Sequence, residues 1–529
     1  MKLKLAPLFT DNMVIQRGEP LKVFGTAETD GSLSVKIGGF MYSAEIGEGT
    51  FCVSFPEIPD TREVLTLEVL FDGVTEYQFS NVVMGEVWIA GGQSNMEMPL
   101  FTTYNGFEDA EKLSDPNLRL FTVPRRSFPE AHIHNWHFED VISEDTPWQV
   151  CTPDAALHFS AAGFHFARKI FEDCKVPVGI ISCNWGGTCV ETWMNFESVE
   201  GIDTPADERD DFKPGADAKA VYYKKVLASL DMDRYIEKYE QWQASYLEAV
   251  KDSDAVRDAR EQGADEFARR AHMGAVNVWP DYGPRDPNRP GCLYENMVAR
   301  IAPYPVKGVL WYQGESNGGR NESMHYARLF TQMVKDWRNL WGIRFPFLVV
   351  EIAPFFNTHW NGTASDDWGY LREQQRIADD TPSVQPTALI QIGDAGDRWN
   401  IHPCNKKVVG ERLALAAEQI AYRMMVEYSG PLFNGKVRIA DGGIYVSFCH
   451  CEDGLAVRGD KLTDFTLCGS DGQFKDAEAE IVAKDTVFVH SDEVPYPEYV
   501  RAGFRDYPTL NLTNGKGLPA SPFRTDKFE

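Results

Sequence analysis

No run of about eighteen consecutive apolar residues occurs anywhere in this chain of 529 residues, so no segment reads as a helix that crosses a bilayer. The opening Met1-Lys2-Leu3-Lys4-Leu5-Ala6-Pro7-Leu8-Phe9-Thr10-Asp11 has two lysines but no apolar core of secretory length before an acidic residue and a turn, and no signal peptide is expected. Basic residues are few beside acidic ones: 52 Lys and Arg against 79 Asp and Glu give a formal net charge of −27. A surface of that sign is repelled by nucleic-acid phosphates and by anionic lipid, so neither is an expected partner. The ten cysteines (52, 151, 174, 183, 189, 292, 404, 449, 451 and 468) are scattered rather than arrayed as a disulfide framework, which suits reduced thiols and a cytoplasmic protein.

Other signatures are missing too. There is no Walker loop and no strand-linked Gly-x-Gly-x-x-Gly, which leaves nucleotide chemistry without support. His132-x-His134-x-x-His137 has no flanking Cys or carboxylate to complete a zinc pattern. Cys449-His450-Cys451 sits in a strand-like run, where alternation points His450 away from two buried thiols. No metal and no cofactor are expected.

What is present is enough for a large core, with 43% hydrophobic and 25% charged residues and length for about two to four domains. Residues 1–84 hold short β-like runs (Leu21-Lys22-Val23-Phe24-Gly25, Leu33-Ser34-Val35-Lys36-Ile37, Thr66-Leu67-Glu68-Val69-Leu70) split by turns, the spacing of a small β-sandwich. From residue 85 the pattern becomes apolar strands (85–90, 176–183, 306–312, 346–352, 387–392) alternating with helix-like stretches. That alternation predicts an α/β domain with a parallel sheet covered on both faces, over 85–429. A charged, helix-favouring insertion interrupts it at about 200–285, with Tyr235, Tyr239, Trp242, Tyr246 and Val250 at helical spacing, and the Gly- and Pro-rich run from Gly283 to Gly291 closes it. A helix-like stretch at 403–426 precedes β-type runs such as Ile444-Tyr445-Val446-Ser447-Phe448, which predict a β-rich domain over 430–529.

Each core strand runs into a loop of unusual chemistry: Gly92-Gln93-Ser94, Trp185-Gly186-Gly187-Thr188, Gln313-Gly314-Glu315-Ser316-Asn317, Ala353-Pro354-Phe355, and Gly393-Asp394 onward to His402. Ligands of an open α/β sheet bind outside the carboxyl ends of the strands, so these loops are expected to share one crevice. Ser94, at a strand tip, is the nucleophile candidate, although Met96 replaces the second glycine of the Gly-x-Ser-x-Gly elbow and argues against a standard α/β-hydrolase. A serine needs a base and an oxyanion hole. His402, followed by a Pro403 suited to a helix's first turn, is the candidate base, with Asp397 or Asp394 as the carboxylate that orients it. The hole is drawn from the Ser94 N–H, a glycine of the pair Gly186 and Gly187, and the amide of Gln313 or Asn317. Trp185, Tyr312 and Trp399 are aromatics available to stack on a substrate ring.

Gly92-Gln93-Ser94-Asn95-Met96, the Trp185 to Thr188 run, Trp311-Tyr312-Gln313-Gly314-Glu315-Ser316-Asn317 and Ile401-His402-Pro403-(x)2-Lys406-(x)2-Val409-Gly410-(x)-Arg412-Leu413 together resemble the motif set of the sialate O-acetylesterase family of SGNH hydrolases. The flanking segments Pro7 to Gly18 and Asn511 to Arg524 fit as well, so the likeness spans nearly the whole chain. The resemblance implies a flavodoxin-like three-layer α/β/α SGNH hydrolase core between two β-domains. It further implies a serine carbohydrate O-acetylesterase with Ser94 as nucleophile, His402 as base, and a hole of the Ser94 N–H, Gly187 and Gln313, with Trp185 and Asn317 near the substrate. One position departs from the pattern: relatives often carry an acid two before the histidine, or Asp-x-x-His, where this chain has Asn400 and Trp399. The third member is therefore Asp397, then Asp394, or a Ser-His dyad backed by a carbonyl. The rival readings are a non-catalytic glycan-binding protein on the same scaffold and a lipase or thioesterase of the same fold. The acetylated sugar itself, a sialic acid or a plant-type oligosaccharide, is not ranked by the motifs.

Overall fold

The computed structural model describes residues 2–127, 146–202, 220, 221, 224, 225, 231, 286–319, 323–356 and 366–527. The three histidines at 132–137 and the aromatic stripe at 235–250 lie outside them. Among the described residues no helix is long and apolar enough to cross a membrane, and no cluster of three metal-ligating side chains is found.

The N-terminal strands are β1 (Leu3–Leu5), β2 (Val14–Gln16), β3 (Pro20–Ala27), β4 (Gly31–Ile37), β5 (Phe40–Ile46), β6 (Gly49–Glu57) and β7 (Leu65–Phe71). Strands β1, β3 and β6 form one antiparallel sheet in the order β1-β3-β6, and β5-β4-β7 form a second that continues into β8 (Val74–Gly92), with which β2 pairs in parallel. Alternation on both sheets sends Val23, Val35, Leu67 and Val69 into one shared core. The expected boundary at residue 84 falls inside β8, which pairs antiparallel with β7 through its first half and parallel with the core strands through its second. From Val82 onward every residue of β8 is buried, which is why this half reads as a continuous apolar run. Its buried Glu86 is paired with Arg17 and accepts from Gln16 Nε2 at 3.1 Å, so the N-terminal motif neutralises a charge at the start of the core strand.

The core sheet adds β9 (Leu118–Thr122), β10 (Gln149–Val150), β11 (Val178–Asn184), β12 (Gly308–Tyr312), β13 (Phe347–Val350) and β14 (Thr387–Ile390) in the order β10-β9-β11-β8-β12-β13-β14. All neighbours pair parallel except β10 with β9. Strand β9 lies outside the five expected core strands, since its run is short and carries Arg119. Along β8, Val87 and Ile89 enter one core with the helices α3 (Tyr326–Trp341) and α4 (Asp367–Asp379), while Trp88 and Ala90 enter another with α2 (Ala161–Cys174) and α5 (Lys406–Ile420). The sheet is thus buried on both faces, an α/β arrangement. Because the chain builds β9 and β11 to one side of β8 and β12 to β14 to the other, β8 is the switch point of the topology, where a crevice opens at the strand ends.

The C-terminal part forms two four-stranded antiparallel sheets around a separate core of Ile444, Val446, Phe465, Leu467, Val487 and Val500. It is docked on the α/β part through Arg372, whose guanidinium donates to the carbonyls of Arg505 and Asp506, and through Arg524 paired with Glu373 at 2.9 Å. The strand Gly443–Cys449 ends before His450, which sits in a turn with φ of +59° and bonds Glu427 at 2.9 Å; Cys449 is exposed, so the strand alternation expected across 449–451 does not extend that far.

Candidate active site

Ser94 begins the four-residue helix α1 (Ser94–Glu97) directly after β8. Gly92 permits this turn: its φ is +135°, and a Cβ there would lie 2.1 Å from the Tyr312 carbonyl oxygen on the adjacent β12. The Ser94 hydroxyl is half-buried, and Oγ stands 2.8 Å from His402 Nε2. With the proton on Nδ1, Nε2 accepts from the hydroxyl, the geometry a general base requires.

The sheet order decides which loops flank the serine. The β11 loop arrives from one side and the β12 loop from the other. Gly186 donates its N–H to the Glu97 carboxylate, which Arg125 holds at 3.0 Å, so that N–H is already committed. Among the described residues the N–H groups of Ser94, Asn95 and Gly187 donate to no protein acceptor. Gly187, with φ of +75° and open space where a Cβ would be, is the glycine of the pair with a free donor. Its carbonyl and the N–H of Cys189 are held by Asn288, at the end of the Pro-rich run.

The two amides proposed for the hole are placed elsewhere. Gln313 is fully buried; its Nε2 donates to Thr188 O at 3.2 Å and to Asn317 Oδ1 at 2.8 Å, and its Oε1 accepts from Tyr326. Both of its N–H groups are spent bracing the β11 and β12 loops together, so none remains for an oxyanion. Asn317, equally buried, accepts from Val190 N and donates to Glu191 at 2.8 Å, and has no access to a substrate. Trp185 is 2% exposed and belongs to the core rather than to a binding surface, and Tyr312 is fully buried. Trp399 is 64% exposed and packs edge-on against Phe356.

Neither candidate aspartate bonds the histidine ring. Asp397 Oδ1 accepts the backbone N–H groups of Trp399 and Asn400 at 2.8 and 3.0 Å, folding the loop instead of orienting the imidazole. Asp394 is paired with Arg412 at 2.6 Å and Arg458 at 2.9 Å; burial opposes its ionisation, but the two guanidinium groups outweigh burial and hold its pKa below the usual range. Pro403 also precedes the helix, which starts at Lys406.

Three residues given no role in the motif reading converge on the histidine loop. Asn95 donates from Nδ2 to Glu315 Oε1 at 2.6 Å and to the Ile401 carbonyl at 3.0 Å. Lys406 donates from Nζ to Asn95 Oδ1 at 2.6 Å and to the Pro403 carbonyl at 2.7 Å. Burial pushes the Lys406 ammonium down to about 7, opposed by Glu315, and pushes the Glu315 carboxyl up, opposed by its hydrogen bonds and by the nearby His402 and Lys406. The one hint in the sequence was the composition of the motifs: a carboxylate and a lysine inside stretches that otherwise enter the core.

A family profile described as carbohydrate esterase, sialic acid-specific acetylesterase, matches residues 277–419. The chain is similar to the sialate O-acetylesterase of Mus musculus, 24% identical over 415 residues covering 73% of this chain and 66% of that one. It is similar to the sialate O-acetylesterase of Homo sapiens at 24% over 382 residues, covering 66% of this chain and 56% of that one. These matches thus span from just over half to about two thirds of the relatives' length. Among solved structures, a carbohydrate acetylesterase from Xanthomonas citri superposes with a TM-score of 0.75 and 29% identity, covering 99% of this chain and 100% of that one. By motif, profile and fold, this chain is similar to the sialate O-acetylesterase family of carbohydrate esterases.

Proposed function

We propose that the chain is a serine esterase of the SGNH type that removes O-acetyl groups from carbohydrates through an acetyl-enzyme on Ser94. The observation that carries this reading is the 2.8 Å contact between Ser94 Oγ and His402 Nε2 beside three uncommitted backbone N–H groups. His402 takes the hydroxyl proton as Oγ bonds to the acetyl carbon, and the carbonyl oxygen gains its negative charge facing the N–H groups of Ser94 and Gly187. The tetrahedral adduct expels the sugar oxygen, which leaves with the proton from His402. Water then gives a proton to His402 and bonds to the acetyl carbon; acetate departs and Ser94 recovers its proton.

The test is the Ser94→Ala variant with a chromogenic acetate ester. Hydrolysis should disappear while the melting temperature is kept, and a serine-directed phosphonate should label the native chain at Ser94 but not the variant. Undiminished hydrolysis in Ser94→Ala overturns the reading, and absence of both turnover and labelling in the native chain favours a glycan-binding protein instead. Release of acetate from a panel of acetylated sialic acids and oligosaccharides identifies the sugar.

A further inference from the structure

The two consecutive glycines after β11 are the part of the site least able to hold its own shape. Gly187 has φ of +75°, and neither glycine has a side chain with which to lock the backbone. An oxyanion donor has to stand in place before the charge develops, so a hole that includes the Gly187 N–H needs this pair fixed from outside.

Two side chains grip it, one on each flank. On the N-terminal flank the Gly186 N–H donates to Glu97 Oε2, and Arg125 holds the other carboxylate oxygen, Oε1, at 3.0 Å. Arg125 Nε also donates to the Asn184 carbonyl at 3.3 Å, at the end of β11, so the counter-charge is tied to the same loop. Glu97 lies one helical turn past Ser94, and the anchor of the glycine pair and the nucleophile therefore share the short helix α1. The approach is close: a Cβ on Gly186 would lie 3.2 Å from Ser94 Cβ and 3.0 Å from Glu97 Oε2. On the C-terminal flank Asn288 uses both ends of its amide, donating from Nδ2 to the Gly187 carbonyl at 3.2 Å and accepting the Cys189 N–H on Oδ1 at 3.1 Å. Asn288 is itself set by Asp286, whose Oδ1 accepts its backbone N–H at 2.9 Å, and the Gly291 N–H ties the same run to the Glu191 carbonyl at 3.0 Å. The peptide that carries the Gly187 N–H is thus bracketed, with the polar group before it held by Glu97 and the one after it by Asn288.

Resting on the reading of Ser94 as nucleophile and the Gly187 N–H as an oxyanion donor, we propose that Glu97, with Arg125 as its counter-charge, and Asn288 are positioning residues for the oxyanion hole. They fix both glycine α-carbons beside Ser94 and act on the reaction through the Gly187 N–H. Burying a carboxylate is costly unless its oxygens are engaged, and here they are spent on a guanidinium and on the loop of the hole. The Pro-rich run that closes the insertion gains a task as well, since its Asn288 reaches back 101 residues to Gly187.

The experiment uses the full chain, a chromogenic acetate ester and a serine-directed phosphonate. Asn288 is half-buried, so Asn288→Ala should fold; kcat should fall about ten- to a hundredfold with KM within about twofold. The rate of phosphonate labelling at Ser94 should fall by a similar factor, because the phosphoryl oxygen seeks the same donor. The limb of the pH profile of kcat/KM that reports the base should stay where it is, since neither side chain grips the histidine loop. Glu97→Leu should show the same pattern, and Glu97→Gln should recover part of the rate because its amide oxygen still accepts the Gly186 N–H. Native kcat in Asn288→Ala overturns the proposal, as does a base limb that moves with the loss, which would locate the effect at His402. A Glu97→Gln chain no faster than Glu97→Leu overturns the role given to Glu97. Should the Glu97 variants fail to fold, Asn288→Ala decides alone by the same readouts. The outcomes stay separable: activity surviving Ser94→Ala removes the reading of the site, whereas activity lost in Ser94→Ala but native in Asn288→Ala removes only the bracket.

Discussion

The two halves of the proposed reacting pair are held by different means. Ser94 is aimed by backbone: a strand buried on both faces, a glycine that lets the neighbouring carbonyl approach, and a short helix whose first N–H groups stay open. His402 is aimed by side chains, with Asn95 and Lys406 on the flanking carbonyls and Asp397 and Asn400 folding the loop that leads to it. The contrast teaches where each half is vulnerable. A backbone-built position fails by losing the fold, and a side-chain-built position fails by losing rate while the fold survives.

That difference is open to direct attack. The largest effect is expected for His402→Ala, which should lower kcat by about four orders of magnitude or more, with a melting temperature close to native because the ring is half exposed. Unfolding in that variant would break the contrast. Gly92→Ala should do the reverse: its Cβ would collide with the Tyr312 carbonyl at a positive φ, costing roughly 2–4 kcal/mol in denaturant unfolding. Residual activity of the folded fraction reports whether the rate was touched separately.

A third test concerns charge buried at the sheet end. Glu351 follows β13, is fully buried, and is bonded by Ser521 of the C-terminal part. Burial raises its carboxyl to about 7, against the pull of Arg372 and the Ser521 hydrogen bond. The folded chain therefore holds this proton more tightly than the unfolded chain. Its contribution to stability is complete below about pH 4.5 and is lost as pH rises through about 7, a span worth about 3 kcal/mol. In Glu351→Gln the melting temperature should fall less than in the native chain between pH 5 and pH 8, and parallel curves would refute the assignment. The smallest effect is expected for Asp397→Asn, which weakens the hydrogen bonds to Trp399 and Asn400. Stability should drop by about 1 kcal/mol and kcat by less than about tenfold; a loss as large as that of His402→Ala would return Asp397 to the role of orienting carboxylate.

The same division explains what could be read from the sequence. The core strands were legible because burial on both faces leaves unbroken apolar runs, and the meeting of Ser94 with His402 because each lies in a loop at a strand end. The break expected at residue 84 was a change in composition within one strand, where β8 passes from a half-solvated sheet into a buried one. The supporting cast was illegible for another reason. Whether an amide such as Gln313 is a free donor depends on partners 125 residues away, at Thr188, and spacing alone does not report them. Glu315 was hidden because its carboxylate bonds Asn95, which follows β8, across from the β12 loop, a pairing that spacing along the chain does not report.

One strand links the N-terminal layer to the serine without interruption. Val74 pairs in the first sandwich sheet, and eighteen residues later the same β8 ends at Gly92, two residues before Ser94. Its pairing with β7 gives way to pairing with the core strands around Asn81, whose φ is +55°. It is a splint rather than a module. A shortened chain beginning at residue 85 would lose the Gln16 and Arg17 partners of Glu86 together with half of the strand, and is expected to leave that buried carboxylate without its counter-charge.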